Sequence, residues 1–220
     1  MASNNRLAPY IIKLRDEPYT DDLLSVDMQM NLSVFLIDLF WRNPSADRTA
    51  MELIQWSKMT WVDDKRISFE DPEREREYKN HPVFSKLERY KVHIESMKQI
   101  TKASLPGYIY CNLWEFKNEP FVLGDFPIIF SKSPNKHTDL ASLEHFLPIS
   151  SNRLYACNRL EGLNFKRYDS LIINAIQIDQ AMSFVVSPNS KILEESIRFY
   201  KAVKNDGCLP LYKKYLFNKL

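Results

Sequence analysis

The chain has 220 residues, of which 45% are hydrophobic and 13% aromatic, enough apolar material for a substantial core. Thirty Lys and Arg side chains against 28 Asp and Glu leave a formal charge of +2, so the composition gives no strong nucleic-acid signal. The four glycines lie far apart, which excludes a Walker A loop and a dinucleotide-binding glycine motif. The sequence therefore leaves any cofactor unknown.

Membrane and secretion signals are missing from the sequence pattern. The longest apolar-rich stretch, 28–41, contains Asn31 and Asp38 and is shorter than the ~20 residues that a transmembrane helix needs. The three cysteines are Cys111, Cys157 and Cys208. Their odd number and wide spacing predict free thiols in a reducing compartment. We therefore predict a cytoplasmic protein without membrane contact.

The first half of the chain has helical periodicity. Apolar residues at steps of three and four predict a helix over 22–43. A second predicted helix ends near Trp61 and is followed by a predicted loop over 62–71. Further helices are expected after Pro72, which suits a first helical turn, and over 83–103.

From residue 108 onward, aromatic and β-branched runs are typical of strands. Strands are predicted over 108–116, 121–130, 144–158 and 183–187, and helices over 170–182 and 191–204. The first two strands can pair as a hairpin, and 144–158 holds either one bent strand or two short ones. The aromatic side chains of 108–116 are predicted to be core rather than a base-stacking platform, because no basic residues alternate with them.

These elements predict an α+β protein with a helical N-terminal half packed on a small, mostly antiparallel sheet, and with two C-terminal helices. No clear linker separates 1–107, which is mainly helical, from 108–220, which mixes strands and helices. We therefore predict a single compact unit over 1–220. The oligomeric state is not indicated by any motif.

Several short phrases occur in a fixed order along the chain. They are FLIDLFWRNP at 35–44, GDFPII at 124–129, LPIS at 147–150 and INAIQIDQAMSFVVS at 173–187. This order resembles the bacterial family known as domain of unknown function 4238, whose members carry a small residue, Asp, any residue and Pro in a strand. The family's earlier His-x-x-Pro phrase is absent here, so the chain resembles the later two-thirds of the family. The resemblance implies no activity.

Asp125 is the leading candidate for chemistry. A strand end can present a carboxylate as a general base or metal ligand, but an Asp after Gly also forms Asx-type turns. Asn174, Gln177 and Gln180 follow one side of a helix and either bind a ligand or hold the neighbouring turn. Arg42 can neutralise Asp125, bind an anion, or be solvated at its helix end. The first hypothesis is an enzyme or enzyme remnant that acts on a small molecule or nucleotide through a pocket formed by these residues.

Two alternatives belong to other classes of function. The basic C-terminal helix, with Lys201 and Lys204, can dock a protein partner in a noncatalytic interaction module. Arg76 and His81 form an Arg-x-x-x-x-His phrase that resembles the catalytic phrase of the HEPN ribonucleases, in which two protomers converge on RNA. The same spacing also arises by coincidence in a run of charged residues.

Histidine spacing bears on metal binding. The four histidines are His81, His93, His137 and His145. Zinc and iron sites usually show clustered ligands, so we predict no metal site. The alternative is a metal site formed by Asp125 together with His137 and His145, which flank a predicted loop.

Overall fold

The protein contains helices and short antiparallel strands. The computed structural model describes residues 4–18, 24–43, 46, 49–52, 59–62, 65–68, 71–81, 83, 90–91, 93–94, 110–134, 140, 143–159, 165–166 and 168–218. The helices are α1 (Asn4–Asp16), α2 (Val26–Arg42), α3 (Pro72–Asn80), α4 (Asp169–Gln180), α5 (Ser190–Asn205) and α6 (Leu209–Asn218). The strands are β1 (Met59–Val62), β2 (Lys65–Ser68), β3 (Tyr110–Glu115), β4 (Leu123–Gly124), β5 (Ile129–Phe130), β6 (His145–Pro148), β7 (Arg153–Asn158) and β8 (Val185–Val186). The predicted α+β class is confirmed.

Two compact units divide the chain. The first unit combines 1–32, 105–133 and 142–220, and the second unit combines 33–104 and 134–141. The N-terminal segment thus belongs with the sheet and the C-terminal helices. The single unit over 1–220 stays a prediction. None of the described helices is long and apolar enough to cross a membrane.

Helix α2 follows the apolar periodicity of its sequence. Met28, Leu32 and Leu36 lie one turn apart and are 3%, 0% and 4% exposed. The helix begins after Ser25, whose hydroxyl accepts a hydrogen bond from the Met28 N–H at 3.3 Å. This is the contact that an N-terminal cap makes, so a local signal sets the start of the helix.

Strands β1 and β2 form an antiparallel hairpin in the second unit, with Met59 opposite Ser68 and Val62 opposite Lys65. The predicted helix is therefore wrong at its end, and the predicted loop over 62–71 is wrong for 65–68. The sequence MTWV of β1 contains β-branched and aromatic residues, which fit a pleated strand better than a helix end. The predicted start of α3 is confirmed: Asp71 Oδ1 accepts a hydrogen bond from the Glu73 N–H at 2.9 Å.

The first unit contains a four-stranded antiparallel sheet in the order β3-β7-β6-β5 and a two-stranded ribbon of β4 and β8. The predicted hairpin between 108–116 and 121–130 is wrong, because β3 pairs with β7. The run 121–130 splits after Gly124 into β4, which pairs with β8, and β5, which pairs with β6. The run 144–158 holds two strands, β6 and β7.

Opposite positions of β3 and β7 bring two cysteines together. Cys111 and Cys157 are register partners with a Cα–Cα distance of 4.3 Å, and they form a disulfide. The prediction of free thiols is therefore wrong for this pair, because separation along the chain says nothing of cross-strand register. Cys208 is a free thiol.

One face of the four-stranded sheet packs against α4 and α6. The buried cluster consists of Phe121, Ile129, Phe146, Leu154, Ala156, Ile172, Ile173, Ile176, Leu216 and Phe217. Phe146 and Phe217 stack with ring centroids 4.2 Å apart. Burial of these side chains is the main favourable term for this unit.

Two C-terminal helices, α5 and α6, follow the last strand. Gly207 ends α5 with φ of 66°, a left-handed conformation that favours glycine. The Gly207 N–H donates to Lys204 O at 3.1 Å and the Cys208 N–H donates to Val203 O at 2.9 Å, which is the Schellman pattern. The helix predicted over 191–204 is confirmed, whereas α6, which begins shortly after Gly207, was not predicted.

The other face of the sheet is tied to α1 by Arg153 at the start of β7. This side chain is only 8% exposed, and its Nη1 donates to Leu14 O at 2.8 Å and to Glu17 O at 2.5 Å. The guanidinium thus satisfies carbonyl groups at the C-terminal end of α1, where helix carbonyls lack partners and a positive charge is favoured.

We expect Arg153→Met to lower the free energy of unfolding by about 2–3 kcal/mol, because a buried charged donor is lost and two carbonyls are left unpaired. Urea unfolding followed by circular dichroism measures the change. The matched control is Arg15→Met, which removes an exposed guanidinium from the same helix end and should change stability little. Equal effects of the two substitutions would contradict the role of Arg153.

Candidate functional site

Side-chain amides of α4 hold the segment that contains the Gly-Asp-x-Pro phrase. Asn174 is 1% exposed, and its Oδ1 accepts a hydrogen bond from the Val122 N–H at 2.9 Å. Its Nδ2 donates to Pro120 O at 3.2 Å and to Ser196 Oγ at 3.1 Å. Both polar atoms of this amide are therefore occupied by the protein itself.

Gln177 and Gln180 continue the same pattern along α4. Gln177 is 0% exposed; its Oε1 accepts from the Gly124 N–H at 3.2 Å and its Nε2 donates to Pro127 O at 2.6 Å. Gln180 Nε2 donates to Phe126 O at 2.5 Å and to Ile128 O at 3.0 Å. We call these three side chains, Asn174, Gln177 and Gln180, the amide ladder.

Gly124 lets the segment approach α4 closely. A Cβ added at this position would lie 3.0 Å from Gln177 O and 3.1 Å from the Ala181 Cβ. The first of these neighbours is helix backbone, which cannot move aside without breaking the helix. The small residue of the Gly-Asp-x-Pro phrase thus has a packing reason here.

Asp125 joins the same segment to the end of α4. Its Oδ1 accepts a hydrogen bond from the Met182 N–H at 2.9 Å, and its Oδ2 accepts from the Ser183 N–H at 2.8 Å. The Asp125 N–H donates to Phe184 O at 3.2 Å. These N–H groups lie 57 and 58 residues further along the chain, so the contacts join two distant segments and are not those of a local Asx-type turn. The general-base role of Asp125 stays a prediction.

Arg42 lies in the second unit, and its guanidinium has an ionic partner one turn earlier in α2. Arg42 Nε lies 2.9 Å from the Asp38 carboxylate, which is only 5% exposed. His93 Nε2 lies 3.0 Å from the same carboxylate. The structure therefore brings Asp125, Asn174 and Gln177 together on one segment and helix, and it gives Arg42 a local partner in its own unit.

The residues of the alternative hypotheses lie on exposed helices. Arg76 and His81 are both exposed, and His81 Nδ1 accepts a hydrogen bond from the Val83 N–H at 3.3 Å. A HEPN-type site requires two protomers, so that reading stays a prediction. In α5, Lys201 is exposed, whereas Lys204 Nζ donates to Asp179 Oδ1 at 3.1 Å.

His145 is the buried histidine of β6. It is 3% exposed, and its Nδ1 lies 2.7 Å from Leu143 O, so this nitrogen carries the proton. Burial lowers the pKa of His145 to about 4 from 6.5. His137, its expected metal partner, lies outside the described residues. No group of three or more His, Cys, Asp and Glu side chains in the described ranges is placed to hold a metal ion.

An aromatic pocket between the end of β3 and the segment before α4 was not predicted. It has a volume of about 260 Å³ and is lined by Trp114, Glu115, Phe116, Lys117, Asn118, Glu119, Phe165 and Lys166. We call it the Trp114 pocket. Three of its aromatic rings are in contact: the Phe165 ring centroid lies 5.4 Å from that of Trp114 and 5.6 Å from that of Phe116.

Some polar groups of the Trp114 pocket have hydrogen-bond partners among the described residues and others do not. The Trp114 Nε1 is buried and has no hydrogen-bond partner among the described residues. Lys117 and Lys166 are exposed, and Glu119 Oε2 accepts a hydrogen bond from Ser170 Oγ at 3.1 Å. Sequence reasoning treated Trp114 as core. It does pack against the core, but it is only partly buried and also lines the pocket.

We expect Asn174→Ala to lower the free energy of unfolding by about 2–4 kcal/mol, because buried donors and acceptors at Val122, Pro120 and Ser196 lose their partner. Chemical unfolding provides the measurement. Asn205→Ala, at an exposed position of α5, is the matched control and should change stability by less than about 0.5 kcal/mol. A loss below about 1 kcal/mol for Asn174→Ala would contradict the amide ladder.

Stability should fall between pH 6.5 and 4 because of His145. In this range the unfolded chain binds a proton that the folded protein, with the lowered pKa, does not bind. The stabilisation is present above pH 6.5 and is lost as the pH falls towards 4, by at most about 3 kcal/mol. Urea unfolding at a series of pH values measures it. His145→Phe should flatten this slope, whereas His81→Gln, at an exposed histidine, should leave it unchanged.

Comparison of the chain with known proteins adds no family. No family model, curated protein or solved structure matches it. The resemblance to domain of unknown function 4238 therefore stays a prediction, and the role of the site is argued from its contacts.

Proposed function

We propose that the first unit binds a small planar anion in the Trp114 pocket. The observation that carries this proposal is the combination of three contacting aromatic rings and two exposed lysines around one pocket.

The size of the pocket limits the ligand. Small-molecule pockets usually have volumes of about 300–1,000 Å³. The volume of about 260 Å³ lies below that range, which favours a single or fused ring over a complete dinucleotide. Contact with Trp114, Phe116 and Phe165 favours a planar, apolar ring, because aromatic rings pack face to edge or offset.

Two lysines in the lining can contact an acidic group on the ligand. Lys117 and Lys166 come from two different segments and both are exposed. Of the two carboxylates, Glu119 is engaged by Ser170, while Glu115 is exposed. A carboxylate or phosphate near both lysines would gain two charged contacts, each worth up to about 1 kcal/mol at an exposed position.

Binding is favoured over catalysis at this pocket. The lining residues that the structure describes include no His, Cys or Ser, so they supply no Ser–His or Cys–His pair. The amides of Asn174 and Gln177 and the carboxylate of Asp125 hold backbone groups. We therefore place the ligand site at Trp114 rather than around Asp125.

A protein partner bound through the basic helix α5 is the second proposal. Arg198 and Lys201 are exposed on this helix, and Lys191 is exposed near its start. Lys204 is already paired with Asp179. The exposed cations suit an acidic partner surface, which would increase the rate of association at low salt. Charge reversal at Lys201 would then slow association with such a partner.

We expect indole-3-carboxylate to shift the Trp114 indole N–H resonance in a ¹H–¹⁵N spectrum, with the peak assigned by Trp114→Phe. The uncharged indole-3-carboxamide should bind about three- to tenfold more weakly, because it lacks the charge that meets Lys117 and Lys166. The double variant Lys117→Ala, Lys166→Ala should bind the carboxylate and the carboxamide with the same affinity as each other.

Lys132→Ala is the matched control, since Lys132 is exposed in the same unit but does not line the pocket. It should keep the preference for the carboxylate. An indole N–H resonance of Trp114 that does not move at millimolar concentrations of either probe would overturn the proposal. Binding that is unaffected by the double lysine variant would overturn the assignment of the anionic group.

A further inference from the structure

We propose that the Cys111–Cys157 pair is a site of thiol–disulfide exchange, at which a low-molecular-weight thiol attacks Cys111 and Cys157 leaves. The two residues are register partners on β3 and β7 and are joined by a disulfide. The inference follows from the different surroundings of the two sulfur atoms.

The order of the strands decides which sulfur can be reached. An attacking thiolate must approach a disulfide in line with the bond, from behind the sulfur that it attacks. Cys111 lies on β3, which is an edge strand of the four-stranded sheet, and it is partly exposed. Behind Cys157 lies β6, where His145 is the register partner of Cys157. Cys157 itself is 1% exposed, so the approach to its sulfur is blocked.

The leaving sulfur has a hydrogen-bond donor in place. The Tyr155 hydroxyl lies 3.6 Å from Cys157 Sγ, and it must be the donor because a disulfide sulfur carries no proton. A donor at this position stabilises negative charge as it develops on Cys157. The Nε2 of His145, the register partner of Cys157, is buried and has no partner among the described residues.

The chemistry balances with the thiol alone. The thiolate RS⁻ forms a bond to Cys111 Sγ, the Cys111–Cys157 bond breaks, and its electron pair goes to Cys157 Sγ, which then takes a proton from water. A second thiolate attacks the R sulfur of the mixed disulfide, releases RSSR and leaves Cys111 as a thiolate. The protein gains two electrons, and two thiols are oxidised to one disulfide.

The test uses the full chain with Cys208→Ser, so that only this pair reacts. The oxidised protein is treated with reduced glutathione, quenched in acid, alkylated with N-ethylmaleimide and digested for peptide mass mapping. We expect the glutathionyl group on the Cys111 peptide and the alkyl group on the Cys157 peptide. Glutathione on Cys157, or on both peptides equally, would overturn the proposal. Two free thiols in the protein after air oxidation and denaturation would also overturn it, because no crosslink would exist.

Two single-thiol variants test accessibility separately. Cys157→Ser and Cys111→Ser, each in the Cys208→Ser background, leave one thiol to react with oxidised glutathione. We expect Cys111 to react at least about tenfold faster than Cys157, because exposure and thiolate character govern the rate. Thermal unfolding checks that both variants fold, with Ala replacing Ser where one does not. Equal rates in two folded variants would overturn the assignment of Cys111 as the attacked sulfur.

Discussion

The fold of the first unit depends on one set of hydrogen bonds, those from the amide ladder to the backbone of 120–128. This segment lies largely buried against α4, where unpaired backbone groups are costly. Within this segment only β4 has a strand partner among the described residues, and β5 begins directly after it. Asn174, Gln177 and Gln180 supply partners for backbone groups of Pro120, Val122, Gly124, Phe126, Pro127 and Ile128. The irregular segment can therefore pass through the core beside a helix. Its strand β4 and the following strand β5 belong to two different sheets.

Local patterns predicted α2, α3, α4 and α5 but not α1 or α6, and they predicted the strand pairing poorly. The periodicity of α2, α4 and α5 lies within each helix, so it is visible in the sequence. Pairing of β3 with β7 depends on contacts 46 residues apart at the cysteines, and no local rule selects this partner over the nearer run 121–130. The same dependence on register hid the disulfide. The short hairpin of β1 and β2 was missed because its apolar residues also fit the end of a helix.

The sequence identified the right residues around Gly124 and Asp125 but left their role open. Gln177 was expected at a buried helical position, where its amide needs a hydrogen-bond partner. The family resemblance includes both the segment that contains Gln177 and the Gly-Asp-x-Pro phrase. Only the structure shows that the partner is backbone. The Trp114 pocket was missed for a different reason. In the sequence, a half-buried tryptophan in a strand looks the same as a core tryptophan. Whether its Nε1 finds a hydrogen-bond partner depends on the other segments that pack around it.

The amide ladder also constrains how the chain can change length. The helix advances about 4.5 Å between Asn174 and Gln177, whereas two extended residues such as Val122 to Gly124 advance about 6.6 Å. Successive partners therefore stay within reach only because the Gln side chains are long. Deleting one residue between Val122 and Ile128 would shift the backbone relative to the amide ladder. Backbone N–H groups would then face the side-chain amide nitrogens, which need carbonyl acceptors. Insertions and deletions should thus be excluded from this segment, although β4 is the only strand that the structure describes within it.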